Sequence, residues 1–125
     1  VSLEDMEGGR VDDDRDPRIK LSIGTKETGE ADGLFALPSG LAFDHQGLLL
    51  VVDSYNDRVQ VFSCDDGSLV SKFGERGYQP GQFVNPYGIA IDHDHDRILI
   101  SDVRNHRVQS WSLSEQSFLS CIGHR

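Results

Sequence analysis

The sequence predicts an all-β fold in which a four-stranded antiparallel unit is repeated. Three observations predict it. The chain matches itself: Leu37–Asp44 aligns with Asn85–Asp92 at an offset of 48, and Leu48–Asp53 aligns with Arg97–Asp102 at an offset of 49. Each copy holds four short segments rich in Val, Ile, Leu and Phe, separated by Asp, Asn, Gly and Pro, which are strand and turn signals. No segment carries helical spacing over a useful length. Four strands in a unit of about 45–50 residues is the size of one β-propeller blade.

The strands can be placed one by one. In the first copy they are expected at Gly40–Asp44, Leu48–Asp53, Arg58–Phe62 and Leu69–Phe73, and the second copy follows by alignment. Leu48–Val52 is apolar without a break, which suits a strand covered on both faces by neighbouring blades. The third strand alternates, with Val59 and Val61 on one side and Arg58, Gln60 and Phe62 on the other. Gly40 and Gly88 open the innermost strands, where the absence of a side chain permits close backbone approach. Gly74 and Gly123 end the outermost strands and can take the positive φ of a sharp exit. Asp53 and Asp102 stand just before a turn, where they can bond turn backbone. Arg58 and Arg107 lie five residues further on, across the hairpin, so an Asp–Arg clamp is expected in each blade. Part of a third copy precedes these, with Ile23-Gly24 matching Phe73-Gly74 and Gly33–Phe35 matching Gly81–Phe83.

These residues form a recognisable pattern: Asn85-Pro86-Tyr87-Gly88-Ile89-Ala90-Ile91-Asp92, an apolar strand ending in Asp102, Asn105-His106-Arg107-Val108-Gln109, then Ile122-Gly123. The pattern resembles the NHL repeat, and Gly74–Phe83 resembles the linker between its blades. The resemblance covers about residues 19–125. Asp57 stands where the family has His, Trp111 where it has Phe, and the His93–Asp96 turn is longer and more charged than is typical. The resemblance implies a fragment of a six-bladed propeller. Residues 19–36 are expected to end a preceding blade, 37–84 to form one blade, and 85–125 a second blade truncated at its C-terminal end. Two blades cannot close a ring, so further blades are expected from sequence on both sides or from self-assembly of copies.

Composition narrows the function. Residues 1–18 hold seven acids against three arginines, contain no apolar period, and are read as an acidic linker or disordered segment. The net charge of −9 opposes phosphate-driven binding, which needs clustered Lys and Arg. No apolar run approaches the length of a membrane helix, so no membrane partner is expected. Two cysteines, Cys64 and Cys121, do not make a disulfide framework and point to a reducing, cytoplasmic setting.

Chemistry-bearing clusters are few. His93-Asp94-His95-Asp96 has metal-like composition, and in an extended chain its two histidines would share one side. It falls in a turn where polar residues belong and has no counterpart in Asp44-His45-Gln46-Gly47, so it is read as a solvated turn. Asp12-Asp13-Asp14-Arg15-Asp16 lacks the glycine and terminal glutamate of a calcium loop and is read as a solvated charge run. Phosphate-loop, dinucleotide and nucleophilic-serine motifs are absent. No catalytic residue, metal site or cofactor is expected within the segment.

Surfaces remain. Loops alternate between the two faces of a propeller, and one face collects 54–57, 75–86 and 103–106. This top face offers Ser39, Tyr55, Asn56, Arg76, Tyr78, Tyr87, Arg104 and His106 as candidate binding residues, since aromatics with arginine favour recognition. Asp53, Arg58, Asp102 and Arg107 are assigned structural roles. The family resemblance implies an interaction module that binds a protein, or less readily RNA, as in the tripartite-motif ubiquitin ligases, where a separate RING domain performs the transfer. The alternative implied by the same resemblance is a propeller enzyme of the peptide-amidating lyase or lactonase type, with a metal site in blades outside this segment.

Overall fold

The computed structural model describes residues 23–24 and 27–123. The acidic segment 1–18, with its Asp12–Asp16 run, lies outside the described residues, as do residues 19–22. Two four-stranded antiparallel sheets follow one another, with strands paired in chain order. The first contains β1 (Pro38–Phe43), β2 (Leu48–Asp53), β3 (Arg58–Ser63) and β4 (Leu69–Phe73). The second contains β5 (Pro86–Asp92), β6 (Arg97–Asp102), β7 (Arg107–Ser112) and β8 (Phe118–Gly123). Corresponding registers agree: Leu50 faces Val61 and Val52 faces Val59 in the first sheet, as Leu99 faces Ser110 and Ser101 faces Val108 in the second. The innermost strands start two residues earlier than expected, at Pro38 and Pro86, because a first strand position needs no ladder N–H.

The turns explain the change of offset between copies. Asp44–Gly47 closes the first β1–β2 turn, with Gly47 at φ +83°. The second sheet uses a one-turn 3-10 helix, His93–His95, ended by Asp96 at φ 55°. The inserted residue converts a tight turn into a helical one. His93 and His95 therefore do not share the side of an extended chain. His95 Nδ1 lies 2.8 Å from Asp92 Oδ2, and the His93 ring meets His45 edge-on at 4.9 Å.

Packing between the sheets forms the core. Leu50, Val52, Val59, Val61 and Phe73 of the first sheet meet Phe83 of the linker and Ile98, Ile100, Trp111 and Leu113 of the second. Trp111 is the centre of this junction. Its ring lies 4.6 Å from Phe73 and stacks on Phe83 at 5.8 Å with 17° between planes. The larger indole at this position reaches both aromatics.

Among the described residues, both outer faces of the pair expose apolar side chains. Leu41 and Phe43 are 63% and 64% exposed. With Ile23, Phe35, Leu49 and Val51 they line an apolar hollow of about 430 Å³. Their counterparts Ile89 and Ile91 pack against the junction core. On the far side Ile122, the counterpart of Phe73, is 66% exposed. Cover on both faces thus holds for Leu50, Val51 and Val52 of β2, all buried. It does not hold for β6, where Ile98 and Ile100 are buried but Leu99 and Ser101 are only half-buried. The difference has a simple cause: β2 has a neighbour on its Leu50–Val52 side, whereas the matching side of β6 has none among the described residues.

Gly40 meets the expected close approach. A Cβ there would lie 2.8 Å from the carbonyl oxygen of Tyr87 in the next blade. At its counterpart Gly88 the nearest atom would be the movable hydroxyl of Ser101 at 3.2 Å. Gly40→Ala is therefore expected to cost about 1–3 kcal/mol through overpacking, and Gly88→Ala less; chemical denaturation of the two variants checks the order. Gly74, by contrast, is required by its φ of +95° and by Phe83, whose ring would sit 2.7 Å from an added Cβ. Gly24 repeats both features against Phe35.

Candidate binding face

The top face is built on a polar network that recurs in each blade. Arg58 Nε donates to Asp53 Oδ2 at 2.8 Å, and Arg107 Nε donates to Asp102 Oδ2 at 2.8 Å. Asn56 and Asn105 donate to the same carboxylate oxygens at 2.9 and 2.8 Å. Apart from these asparagine side chains, the aspartates make no cap hydrogen bond to the backbone of their own turns. The turn amides are already used, as Ser54 N and Tyr55 N donate to Leu37 O and Ala36 O. Each carboxylate instead accepts from the preceding linker, Asp53 from Ala36 N at 2.7 Å and Asp102 from Val84 N at 2.8 Å. The arginines bind linker carbonyls: Arg58 reaches Glu30, Ala31 and Leu34, and Arg107 reaches Tyr78, Gln79 and Gln82. Gln60 and Gln109 complete the set through Leu34 O and Gln82 O. The sequence places Asp and Arg together but gives no sign that their target is the linker.

These bonds bring the linkers and the β2–β3 and β6–β7 turns onto one face. Tyr55 N donates to Ala36 O, and Arg104 N donates to Val84 O at 3.2 Å. Between the two blades they leave a groove of about 390 Å³ lined by Ser54, Tyr55, Asp57, Arg76, Val84, Asn85 and Arg104. Its floor is polar and tied down. Ser54 Oγ donates to Asn85 Oδ1 at 2.9 Å, and Asn85 N donates to buried Asp57 Oδ1 at 2.7 Å. Arg76 Nη1 lies 3.5 Å from Asp57 Oδ2, yet its side chain is 71% exposed.

The eight candidate residues separate into groups. Tyr55, Arg76 and Arg104 share the groove. Ser39 and Tyr87 meet at the inner strands, where Ser39 Oγ donates to Tyr87 O at 2.8 Å while the Tyr87 ring is exposed. Tyr78 presents an exposed ring, and its carbonyl accepts from Arg107. His106 is exposed at the left-handed residue that ends its turn. Asn56 is half-buried, with its amide committed to Gly29 O and Asp53. Sequence reasoning missed Asp57, Ser54 and Asn85 as parts of the groove. The departure from the family's His at position 57 was the available signal.

On the opposite face, Asp92, His93 and His95 occupy an exposed turn. The hydrogen bond from His95 holds the Asp92 carboxyl below the ordinary Asp value. Any stability this contributes is present above the unfolded Asp pKa and is lost as pH falls through the depressed folded value. His95→Ala is expected to raise the Asp92 pKa toward that of a free aspartate, as read by NMR titration. Among the described residues, no group of three or more His, Cys, Asp and Glu is placed to hold a metal ion. No helix of the described residues is long and apolar enough to cross a membrane. Cys64 and Cys121 are free thiols.

Comparison with known proteins agrees with this architecture. Residues 33–125 match the family model described as 6-bladed beta-propeller. The chain is 30% identical over 87 residues to the protein brain tumor of Drosophila melanogaster, covering 69% of this chain and 8% of that protein. It is also 30% identical over 104 residues to the probable peptidyl-alpha-hydroxyglycine alpha-amidating lyase pgal-1 of Caenorhabditis elegans, covering 80% of this chain and 29% of that one. It thus spans less than a third of either curated relative. Among solved structures, a Bacteroides fragilis protein assigned as exported superposes with a TM-score of 0.65 at 24% identity, covering 84% of this chain and 29% of that one. The luciferin-regenerating enzyme superposes at 0.53 and 18% identity, over 72% of this chain and 31% of its own. These two likenesses concern the fold alone. With two superposable registers, a shared junction and the matching family model, the chain belongs to the 6-bladed β-propeller family, with blades of the NHL-repeat type.

Proposed function

We propose that this chain is an interaction module that recognises a protein partner through its top face. One observation carries the reading. The aromatic rings of Tyr55, Tyr78 and Tyr87 stand exposed on a face whose backbone is fixed by the linker clamps. Rigid, amphipathic rings on a fixed frame are suited to recognition, because little side-chain entropy is lost on binding. The acidic balance of the chain supports a protein over RNA. The role suggested by the family resemblance is substrate recognition for a tripartite-motif RING ligase. The free thiols support a reducing, cytoplasmic setting.

The test uses the intact protein with a photoreactive phenylalanine analogue at Tyr55, at Tyr87, or at Asp65 on the opposite face. Protein adducts from the first two positions and not the third are expected. Equal labelling from all three, or adducts with RNA, would defeat the proposal. For the ligase role, Tyr55→Ala with Tyr87→Ala should abolish substrate ubiquitination and leave autoubiquitination unchanged.

A second reading, amidating-lyase activity, is favoured by the relative that matches 80% of this chain. A stoichiometric metal ion in the intact protein, together with turnover of a peptidyl-α-hydroxyglycine, would support it over the first.

A further inference from the structure

We propose that the groove between the two blades binds a carboxylate side chain of an acidic peptide, held by Arg76 and Arg104 against the ring of Tyr55. The inference rests on the top-face reading above and names the chemistry of the partner.

The groove residues are set apart from the scaffold by how they repeat. Scaffold positions are the same in both blades: Asp53 and Asp102, Asn56 and Asn105, Arg58 and Arg107, Gln60 and Gln109. Groove positions differ. Arg104 corresponds to Tyr55, Arg76 to Thr28, Asn85 to Leu37, and His106 to Asp57. Leu37 and Asn85 even share a φ of 59°, so the backbone is kept while the side chain is exchanged. Two blades therefore fold with different residues at these sites. The cationic pair belongs to this junction and is not needed to build a blade.

The electrostatics favour an anion. Arg104 is exposed and has no hydrogen-bond or ion-pair partner for its side chain among the described residues. Arg76 lines the groove with its side chain 71% exposed, and its ion-pair contact there is the long one to Asp57 at 3.5 Å. The single acid of the groove is buried, and one of its oxygens is taken by Asn85 N. Two guanidinium groups thus line a cleft that exposes no carboxylate of its own. Planar guanidinium forks match a carboxylate in bidentate fashion. Tyr55 supplies an apolar wall for the methylene groups beside it. Two arginines side by side suit one or two carboxylates of a short segment better than the phosphate backbone of RNA, which needs an extended basic track.

Fluorescence anisotropy on the intact protein tests the idea. The probes are a labelled peptide alternating Glu with Gly and Tyr, the same peptide with Gln for Glu, and a single-stranded RNA of equal length. The Glu peptide is expected to bind at least about tenfold more tightly than the Gln peptide. Arg104→Ala and Arg76→Ala should each remove that preference, and Arg104→Lys should restore part of it. Arg104→Ala removes an exposed side chain without bonds, so its melting temperature should equal that of the parent protein. Equal affinity for the two peptides, or an unchanged preference in Arg104→Ala, overturns the inference, as does tighter binding of the RNA. If the peptide preference fails while photo-crosslinks from Tyr55 still capture a protein, the carboxylate assignment falls and the top-face reading stands.

Discussion

Asp102→Ala is expected to lower stability by about 3–5 kcal/mol, the cost of leaving a buried guanidinium without its counter-charge. The carboxylate it removes is fully buried and accepts from Arg107, Asn105, Gln109 and the backbone amide of Val84. Arg107 is only 8% exposed at its side chain. Alanine therefore strands one charge and three further donors. Asp102→Asn keeps an acceptor for the amide of Val84 and should fall between the parent and alanine. A third variant separates the terms: Asp102→Ala with Arg107→Met removes both charges and should recover part of the loss. Urea denaturation of the three variants measures the order. Equal stability of Asp102→Ala and the parent would mean that the linker is held by the apolar core alone.

Trp111→Ala should cost a similar amount, about 3–5 kcal/mol, by a different route. Its indole is buried between Phe73 of one sheet and Phe83 of the linker. Its Nε1 also donates to Gln109 at 3.0 Å. Truncation leaves a cavity whose walls come from two sheets, so neither sheet alone can close it. The loss is large beside a typical domain stability of about 5–15 kcal/mol. Trp111→Phe, the residue usual in the family, keeps the stacking on Phe83 and should cost much less. Thermal unfolding followed by near-ultraviolet circular dichroism reports both. The two large predictions also differ in salt response: the loss in Asp102→Ala involves charge, whereas that in Trp111→Ala does not.

Much of the scaffold was legible in the sequence because the blade is a local object. Strand, turn and clamp residues are separated by few positions, and the repeat prints each of them twice. Asp53 with Arg58 and Asp102 with Arg107 could be paired from spacing alone. What the carboxylates hold could not be read, because their target lies in the linker, which carries only backbone groups to the contact. Gln60 shows the same limit. Alternation in its strand places it opposite Val59 and Val61, a face that would be polar if solvated. It is 0% exposed because the linker crosses over it. In the histidine turn the relative placement of the two rings could not be read, since one inserted residue makes a helical turn in place of an extended chain. In the groove, Tyr55, Arg76 and Arg104 stood out by type. Asp57, Ser54 and Asn85 did not, because small polar residues beside turns are ordinary there and only the meeting of two blades makes them neighbours.

The clamps have a direction. Each hairpin grips the stretch that comes before it in the chain, 17 residues back for Asp53 to Ala36 and 18 for Asp102 to Val84. Among the described residues, neither Asp–Arg clamp reaches forward. As a chain emerges from the ribosome, a hairpin can fasten onto a stretch that is already outside, without waiting for sequence still to be made. Blades added in this order would be secured one at a time, each ready to serve as the surface on which the next one settles.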